Sequence, residues 1–491
     1  MKAVVVLLDS LNRAYLPAYG CDWVKTPHID RLAARSIAFD NHWLGSAPCM
    51  PARRDMMTGR YNFLERGWSG LEPFDVTLPQ MLSAQGVHSH IETDHAHYVN
   101  GGGEFYHTSF KTWQLHRGQE TDRLPSTIAD PPKPDHDGNW KPQIIKNRRR
   151  WQDNEAEMPT PKTFQGAVDW LRMNPSEDDY LLWVEAFDPH EPFEAPARYI
   201  ELYEAAYEGK FYDSSGYERV AEDSPETRHL RALYAATLTM ADHWLGKLLD
   251  EIESQGGFDD TLIILTTDHG HLLGEHGCTG KTRWHSWNQL AHLPLLIHLP
   301  GDEHAGQRRD ALTQNIDLVP TLLEFFGAPP AERPIHGESW WPAIRDGEPT
   351  RRRGALYGTF GKTVSVTDGQ HTYLRGIGTP DNQPLYEYFL MPTTFHSRFN
   401  ADRIRSSEFG PFLAWTDCPV LRRPTDARQP GDDPELYTTR LHSLRDDYAQ
   451  EHNLAGTELE ARYVDLLRAC MQDADAPAEQ FVRLGMSPAD A

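Results

Sequence analysis

The sequence has no long apolar run. None of its segments approaches the ~20 consecutive apolar residues of a membrane-spanning helix. The apolar stretch that opens the chain, MKAVVVLLDS, is too short for the hydrophobic region of a secretory signal and ends in an aspartate. We therefore expect a cytoplasmic protein without a membrane partner.

Cysteine and positive charge are also scarce. The five cysteines are widely spaced and form no Cys-x-x-Cys pair, which argues against a disulfide framework and against a zinc finger. The sequence has 48 Lys and Arg residues against 72 Asp and Glu residues, so its formal net charge is −24. A surface of this charge repels nucleic acid, and we expect no nucleic-acid partner.

Continuous apolar runs alternate with amphipathic stretches over most of the chain. KAVVVLL, YLLWVEA and TLIILTT read as strands that are covered on both faces, and helical patterns separate them. This order predicts an α/β fold with a large, mostly parallel sheet covered by helices on both faces. Residues 122–150 are rich in Pro, Asp and Lys and are predicted to form a long surface insertion.

The pattern changes after a charged run, RRRG, at residues 351–354. The next segment, KTVSVTDGQHTYLRG, alternates like an antiparallel strand pair with an Asp-Gly turn. We place a boundary near residue 355. Residues 1–355 are predicted to form an N-terminal catalytic α/β domain, and residues 356–491 a smaller C-terminal α+β subdomain with an antiparallel sheet.

Polar residues follow three of the predicted buried strands. Asp9, residues 188–190, and the pair Asp268 and His269 stand at these positions, and ligands bind at the carboxyl ends of strands in open α/β sheets. Two converging carboxylates repel each other unless a cation lies between them. Oxygen ligands favour Ca²⁺ or Mg²⁺ over zinc, while His269 leaves Mn²⁺ or Zn²⁺ open.

Cys49 has unusual neighbours. It stands just before a predicted helix that Pro51 opens, so it faces the positive end of the helix dipole, and Arg53 lies about one turn further on. These features suit an anion. Because a helix N-terminus lowers a cysteine pKa, a thiol-based phosphatase is one interpretation, although such an enzyme has no use for a metal cluster.

The stretch CMPAR, from Cys49 to Arg53, matches the Cys-x-Pro-x-Arg signature of the type I sulfatases, whose cysteine is oxidised to formylglycine after translation. Further matches run in family order from residue 3 to about residue 456. They are TPHIDRLAARSIAFDN, CMPARRDMMTGRY, TTDHGHLLGEHG with the downstream Lys281, DLVPTLLEFFGAPP and ELYTTRLHSLRDDYAQEHNLAG. The sequence is identified as a member of the sulfatase branch of the alkaline phosphatase superfamily.

The resemblance implies a nucleophile and a metal ion. In the family, formylglycine is hydrated to a geminal diol that attacks the sulfur of a sulfate ester, and here Cys49 would supply it. Its signature resembles the recognition signal of a formylglycine-generating enzyme, which would be a partner during maturation. Asp9, Asp268 and His269 match the metal ligands, modified Cys49 completes the shell, and Arg53 steadies the diol. One divalent ion is expected, most plausibly Ca²⁺, with Mg²⁺ or Mn²⁺ open.

The resemblance also implies groups that act on the substrate. His190, in DPHEPF, matches the histidine that protonates the leaving group, a role that suits imidazole near neutral pH. Lys281 matches the lysine that binds the sulfate group.

The sequence departs from the family pattern in two places. Most members have two consecutive aspartates after the first strand, but this chain has Ser10 in the second position, and whether Ser10 contacts the metal stays open. The family's usual Gly-Lys-Trp-His segment is replaced by ETDHAHY, with Thr93 at the place of the lysine. His95 is the expected base that deprotonates the second diol oxygen, and His97 is the alternative.

We therefore expect hydrolysis of an organic sulfate ester of a small molecule or saccharide. The departures above, with Ala52 rather than serine after the signature proline, also occur in relatives that hydrolyse phosphonate monoesters or phosphate diesters, so this activity is the alternative. A third hypothesis is an inactive, binding-only homologue whose Cys49 stays a thiol. The sequence indicates neither the particular substrate nor the oligomeric state, and a homo-oligomer stays open.

Overall fold

The structure, a computed structural model, describes residues 1–152, 154–425 and 433–487. The helices in these ranges are α1 Pro27–Ala34, α2 Cys49–Thr58, α3 Leu78–Ser83, α4 Glu104–His107, α5 Pro142–Arg148, α6 Pro159–Met173, α7 Ala197–Ile200, α8 Pro225–Ser254, α9 Asn288–Ala291, α10 Leu318–Phe325, α11 Trp341–Asp346, α12 Ala401–Arg405, α13 Leu459–Asp473 and α14 Ala478–Arg483. None of these helices has the length and apolar composition that crossing a membrane would require.

The strands in the same ranges vary from two to seven residues in length. They are β1 Lys2–Leu8, β2 Ile37–Phe39, β3 His42–Trp43, β4 Ser46–Ala47, β5 His88–Thr93, β6 Thr112–Leu115, β7 Tyr180–Ala186, β8 Thr261–Thr266, β9 Leu272–Leu273, β10 Thr279–Gly280, β11 His292–Leu293, β12 Leu296–His298, β13 Arg308–Arg309, β14 Thr313–Gln314, β15 Ala355–Thr359, β16 Val364–Thr367, β17 His371–Arg375, β18 Tyr386–Phe389, β19 Glu408–Gly410, β20 Val420–Pro424 and β21 Arg440–Ser443.

A large sheet of eight strands organises the fold, in the order β13-β2-β12-β8-β1-β7-β5-β6. Strand β1 lies inside the sheet and pairs in parallel with β7 and β8. Parallel pairing continues from β7 through β5 to β6, whereas β12 runs antiparallel to both of its neighbours. The predicted large, mostly parallel sheet is confirmed.

Both faces of this sheet are covered, as the continuous apolar pattern of β1 predicts. The odd-numbered residues 3–7 of β1 belong to the core that contains side chains of α2, α3 and α10. The even-numbered residues 4–8 belong to a second core, which contains side chains of α1, α6 and α8. Successive side chains of a strand point to opposite faces, so one apolar strand serves two hydrophobic layers.

Smaller antiparallel sheets lie in the C-terminal part. The predicted Asp-Gly hairpin is formed by β16 and β17, and Gly369 in its turn has a φ of 81°. This hairpin belongs to a five-stranded sheet, β21-β17-β16-β15-β4, in which the N-terminal strand β4 pairs in parallel with β15. A second sheet has the order β18-β20-β19. The predicted division of the chain near residue 355 stays a prediction.

The helix that carries Cys49 begins earlier than the sequence analysis predicts. We expected Pro51 to open it, but α2 begins at Cys49, since the amide of Ala52 donates to the carbonyl of Pro48 at 3.0 Å. The amides of the first turn of a helix have no partner within the helix, so a proline inside this turn removes no hydrogen bond. The helix ends before Gly59, whose φ is 72°.

A buried histidine supports the loop that follows β8. His42 is fully buried, with its Nδ1 3.0 Å from Thr313 Oγ1 and its Nε2 2.9 Å from Asn315 Oδ1. The side-chain amide of Asn315 donates to the carbonyls of Thr267 and Asp268, at 3.2 Å each. Burial lowers the pKa of His42 to about 3, so the imidazole is neutral in the folded protein.

We predict that the protein loses stability in mild acid partly through His42. Its pKa in the unfolded chain is about 6.5, so below this pH protonation favours unfolding, by about 1.4 kcal/mol per pH unit. The variant His42→Gln keeps a hydrogen-bonding side chain that does not titrate. From pH 7.5 to pH 5.5, the midpoint of urea unfolding should therefore fall less in the variant than in the wild type. An equal fall in both proteins would contradict this account.

Candidate active site

Four candidate residues from distant parts of the chain meet at the carboxyl edge of the large sheet. Asp9 follows β1, Asp268 and His269 follow β8, and Cys49 is the first residue of α2. One ligand atom from each of the four lies within 4.8 Å of the others, and all four side chains are buried. The structure thus brings together the residues that the sequence analysis predicts as metal ligands.

The donor set fits a divalent cation. His269 Nδ1 lies 2.8 Å from the carbonyl oxygen of Gly270, which can only accept, so Nδ1 carries the proton. Nε2 is then unprotonated and lies 3.1 Å from Cys49 Sγ and 3.2 Å from Asp268 Oδ2. A neutral imidazole that donates its other N–H to a carbonyl is the usual form of a metal-ligating histidine. Two carboxylates beside it supply the oxygen ligands that hard cations prefer.

Arg53 fixes the carboxylates around this group. Its fully buried guanidinium donates to Asp9 Oδ2 at 2.9 Å, to Asp268 Oδ2 at 2.6 Å and to Glu185 Oε1 at 2.9 Å. Burial alone would lower the pKa of this guanidinium, but the three carboxylates raise it well above its usual value. Arg53 thus contacts both carboxylates of the metal-ligand group and a third carboxylate, Glu185, whose pKa is raised by burial.

Cys49 is poorly suited to act as a thiol. Its side chain is only 2% exposed. Burial raises the pKa of the thiol well above its usual value, and the Asp9 carboxylate adds to the shift. A thiol that stays protonated near neutral pH is a weak nucleophile, which argues against a thiol-based phosphatase.

His190 and Lys281 lie beside the metal-ligand group. His190 Nδ1 donates to the carbonyl of Glu191, and the His190 ring packs on Phe187 with centroids 4.1 Å apart. Burial would raise the pKa of Asp9, but His190 and then Arg53 lower it, which reflects their closeness to this carboxylate. The roles of leaving-group acid for His190 and of sulfate ligand for Lys281 stay predictions.

Ser10 connects the metal-ligand group to the lysine. Its hydroxyl donates to Asp9 Oδ1 at 2.8 Å and accepts from Lys281 Nζ at 3.2 Å. Its amide donates to Asp268 Oδ1 at 3.0 Å, with a left-handed φ of 63°. A serine in this conformation is uncommon, and such backbone strain is concentrated at functional sites.

Both predicted bases lie at this site. His95 Nδ1 is 3.8 Å from Asp9 Oδ2, and its Nε2 is 3.0 Å from Met50 Sδ. His97 accepts from Asn100 Nδ2 at 3.2 Å and packs edge-on against Trp68. Burial lowers the pKa of His95 well below its usual value and that of His97 to about 3. Both are therefore neutral imidazoles, and the role of base, for His95 or for His97 as the alternative, stays a prediction.

Asp188 does not join the metal-ligand group, although it follows a buried strand as expected. Burial and the neighbouring Asp94 raise the pKa of Asp188 well above its usual value. Its amide lies 3.3 Å from Thr160 Oγ1, on the side of α6. The chain turns after β7 so that His190, two residues later, faces the site.

Two carboxylates of this site were not among the residues predicted from the sequence. Glu185 accepts from Arg53, from Tyr98 OH at 3.0 Å and from Trp183 Nε1 at 3.3 Å. Its signal in the sequence is the single charged residue in the apolar strand YLLWVEA, since a charge in a covered strand needs a partner. Glu191 contacts Lys281 and Tyr217, and no pattern in the sequence singles it out.

The fold and this site define an enzyme of the alkaline phosphatase superfamily. A model of the family described as Sulfatase matches residues 2–328, and one described as N-sulphoglucosamine sulphohydrolase, C-terminal, matches residues 274–389. Since the first match covers more than half of the chain, the protein belongs to the sulfatase family. The predicted enzyme class, a sulfuric ester hydrolase, is confirmed at the level of this family.

Individual relatives are distant. The multifunctional alkaline phosphatase superfamily protein PehA of Trinickia caryophylli is 27% identical over 418 residues, 73% of this chain and 80% of the relative. Choline-sulfatase of Rhizobium meliloti (strain 1021) is 25% identical over 417 residues, 76% and 77% of the two chains.

Solved structures share the fold. The phosphonate monoester hydrolase of Agrobacterium radiobacter superposes with a TM-score of 0.68 at 18% identity, and 96% of each chain is covered. A structure in complex with its substrate D-glucosamine-2-N,6-O-disulfate has a TM-score of 0.67 at 16% identity, with 96% of this chain and 98% of that chain covered.

We predict that Cys49, when it is left unconverted, resists alkylation in the native protein. Burial keeps the thiol protonated and out of reach of the reagent. Iodoacetamide at pH 7.5 should label the partly exposed Cys21 and Cys418 first, and Cys49 only after denaturation. Peptide mass spectrometry measures the order. Labelling of native Cys49 as fast as that of Cys418 would show that the site is open and its thiol reactive.

Proposed function

We propose that the protein hydrolyses an organic sulfate ester to inorganic sulfate and an alcohol, with formylglycine derived from Cys49 as the nucleophile. The observation that carries this proposal is the convergence of Asp9, Cys49, Asp268 and His269 within 4.8 Å of one another, in a chain of the sulfatase family. A divalent cation held there would supply positive charge next to a sulfate oxygen. We propose Ca²⁺, because most of the ligands are oxygens.

The residues of the chain then have separate tasks. Arg53 donates to the backbone carbonyl of residue 49 at 3.0 Å and so fixes the start of α2 beside the two aspartates. Lys281 binds the sulfate group. His190 gives a proton from Nε2 to the leaving oxygen, and neutral His95, or His97 in its place, takes a proton from the hydrated residue 49 when sulfate is released.

The substrate that we propose is a small molecule or a saccharide that carries a sulfate ester. Relatives of this chain include a choline-sulfatase and the N-acetylglucosamine-6-O-sulfatase of Bacteroides thetaiotaomicron, which is 24% identical over 450 residues. We further propose maturation of Cys49 by a formylglycine-generating enzyme in the cytoplasm, and a catalytic domain of residues 1–355 followed by a C-terminal subdomain.

A second candidate function is hydrolysis of a phosphonate monoester or a phosphate diester. Two observations favour it: the single aspartate at Asp9, with Ser10 beside it, and the fold likeness to a phosphonate monoester hydrolase. The same nucleophile and metal group would serve both reactions.

We predict that the protein, with conversion of Cys49 verified by mass, turns over an aryl sulfate with a higher kcat/KM than a phosphonate monoester or a phosphate diester. Cys49→Ala should abolish all three activities, because the nucleophile is lost. Cys278→Ala, which replaces a buried cysteine elsewhere, is the matched control and should keep them. Sulfate turnover far below the other two would favour the second function.

A further inference from the structure

Glu191 is a buried carboxylate between the two side chains that would act on the substrate. Its Oε2 lies 3.1 Å from Lys281 Nζ and 3.4 Å from His190 Nδ1. Its Oε1 accepts from Tyr217 OH at 2.8 Å. The side chain is 6% exposed, so a charge placed here interacts strongly with its neighbours.

The contact with His190 bears on proton donation. Since Nδ1 donates to the Glu191 carbonyl, His190 carries a proton on Nε2 only as an imidazolium. The Glu191 carboxylate, 3.4 Å from Nδ1, has the charge opposite to that of an imidazolium at this position. The backbone carbonyl of Glu191 thus orients the ring, and the side chain of the same residue places a negative charge beside it.

The contact with Lys281 bears on sulfate binding. Within the part of the chain that the structure describes, Lys281 Nζ has Glu191 Oε2 and Ser10 Oγ as polar partners. Burial would lower the pKa of this ammonium, but Glu191 raises it well above its usual value. The carboxylate therefore keeps the lysine charged and, at the same time, offsets its attraction for an anion.

We propose that Glu191 is a positioning residue that keeps His190 poised as proton donor and moderates the hold of Lys281 on sulfate. This inference rests on the proposed function. As a deprotonated oxygen of the hydrated residue 49 bonds to sulfur, the S–O bond to the alcohol breaks. Its electron pair stays on the alcohol oxygen, which takes the proton from His190 Nε2. The imidazole left behind is neutral, and the Glu191 carboxylate stays ionised. Sulfate then dissociates from Lys281, whose positive charge is partly balanced by Glu191.

The test compares Glu191→Gln with the wild type, both with verified conversion of Cys49. Glutamine keeps the size and the Tyr217 contact but removes the charge. For propyl sulfate, whose alkoxide is a poor leaving group, kcat should fall on the order of 100-fold, the usual contribution of a general acid. For 4-nitrophenyl sulfate, whose phenolate leaves without a proton, it should fall only a few-fold. Inorganic sulfate should bind more tightly by about tenfold in calorimetry.

Two further variants complete the test. Glu194→Gln removes a partly buried carboxylate that contacts Arg148 and Trp151 outside the site, and it should match the wild type in all three measurements. Tyr217→Phe removes the hydroxyl that holds Glu191, so it should show the same pattern as Glu191→Gln to a smaller extent. It also provides the measurement if Glu191→Gln does not fold.

The outcomes separate this inference from the proposed function. An equal fall of kcat on both esters, or sulfate binding that is unchanged or weaker, would overturn the role of Glu191. A wild type inactive on both esters would overturn sulfate ester hydrolysis. In that case the calorimetric arm still decides whether Glu191 moderates anion binding.

Discussion

The ion pairs of one buried guanidinium hold the active site together. Arg53 reaches three carboxylates that belong to three different segments, and none of these groups has contact with bulk water. Buried charges cost several kcal/mol each unless they are paired and hydrogen-bonded. The guanidinium and its carboxylates are therefore stable at the edge of the sheet only when all of them are present. Asp9 and Asp268 in this set also belong to the buried group whose donor atoms fit a divalent cation.

The geometry of the parallel sheet makes such a set attainable. Strands β1, β7 and β8 are neighbours, and residues just beyond or near their carboxyl ends are close in space although they are far apart in sequence. Helix α2 adds Cys49 and Arg53 one turn apart, so Cys49 and the guanidinium that fixes its surroundings face the same edge.

Local patterns revealed much of this in the sequence. The covered strands, Asp9 and Asp268 at strand ends, and the cysteine signature are visible within a few residues each. The partners of Glu185 and Glu191 are not visible in the sequence. Glu185 is 132 residues from Arg53 and Glu191 is 90 residues from Lys281, so these pairs depend on how the segments meet in space. The predicted start of α2 was wrong by two residues, because the hydrogen bond from the amide of Ala52 to the carbonyl of Pro48 sets where the helix begins.

Ser10 and Glu191 together define the polar surroundings of Lys281. Most members of the family have an aspartate where this chain has Ser10. Here that position is neutral, and the hydroxyl of Ser10 bridges Asp9 to Lys281. Lys281 instead finds its carboxylate on the other side, at Glu191. The carboxylate beside the lysine is also the one that lies 3.4 Å from His190 Nδ1, so a single negative charge is shared by the two side chains that we propose to act on the substrate.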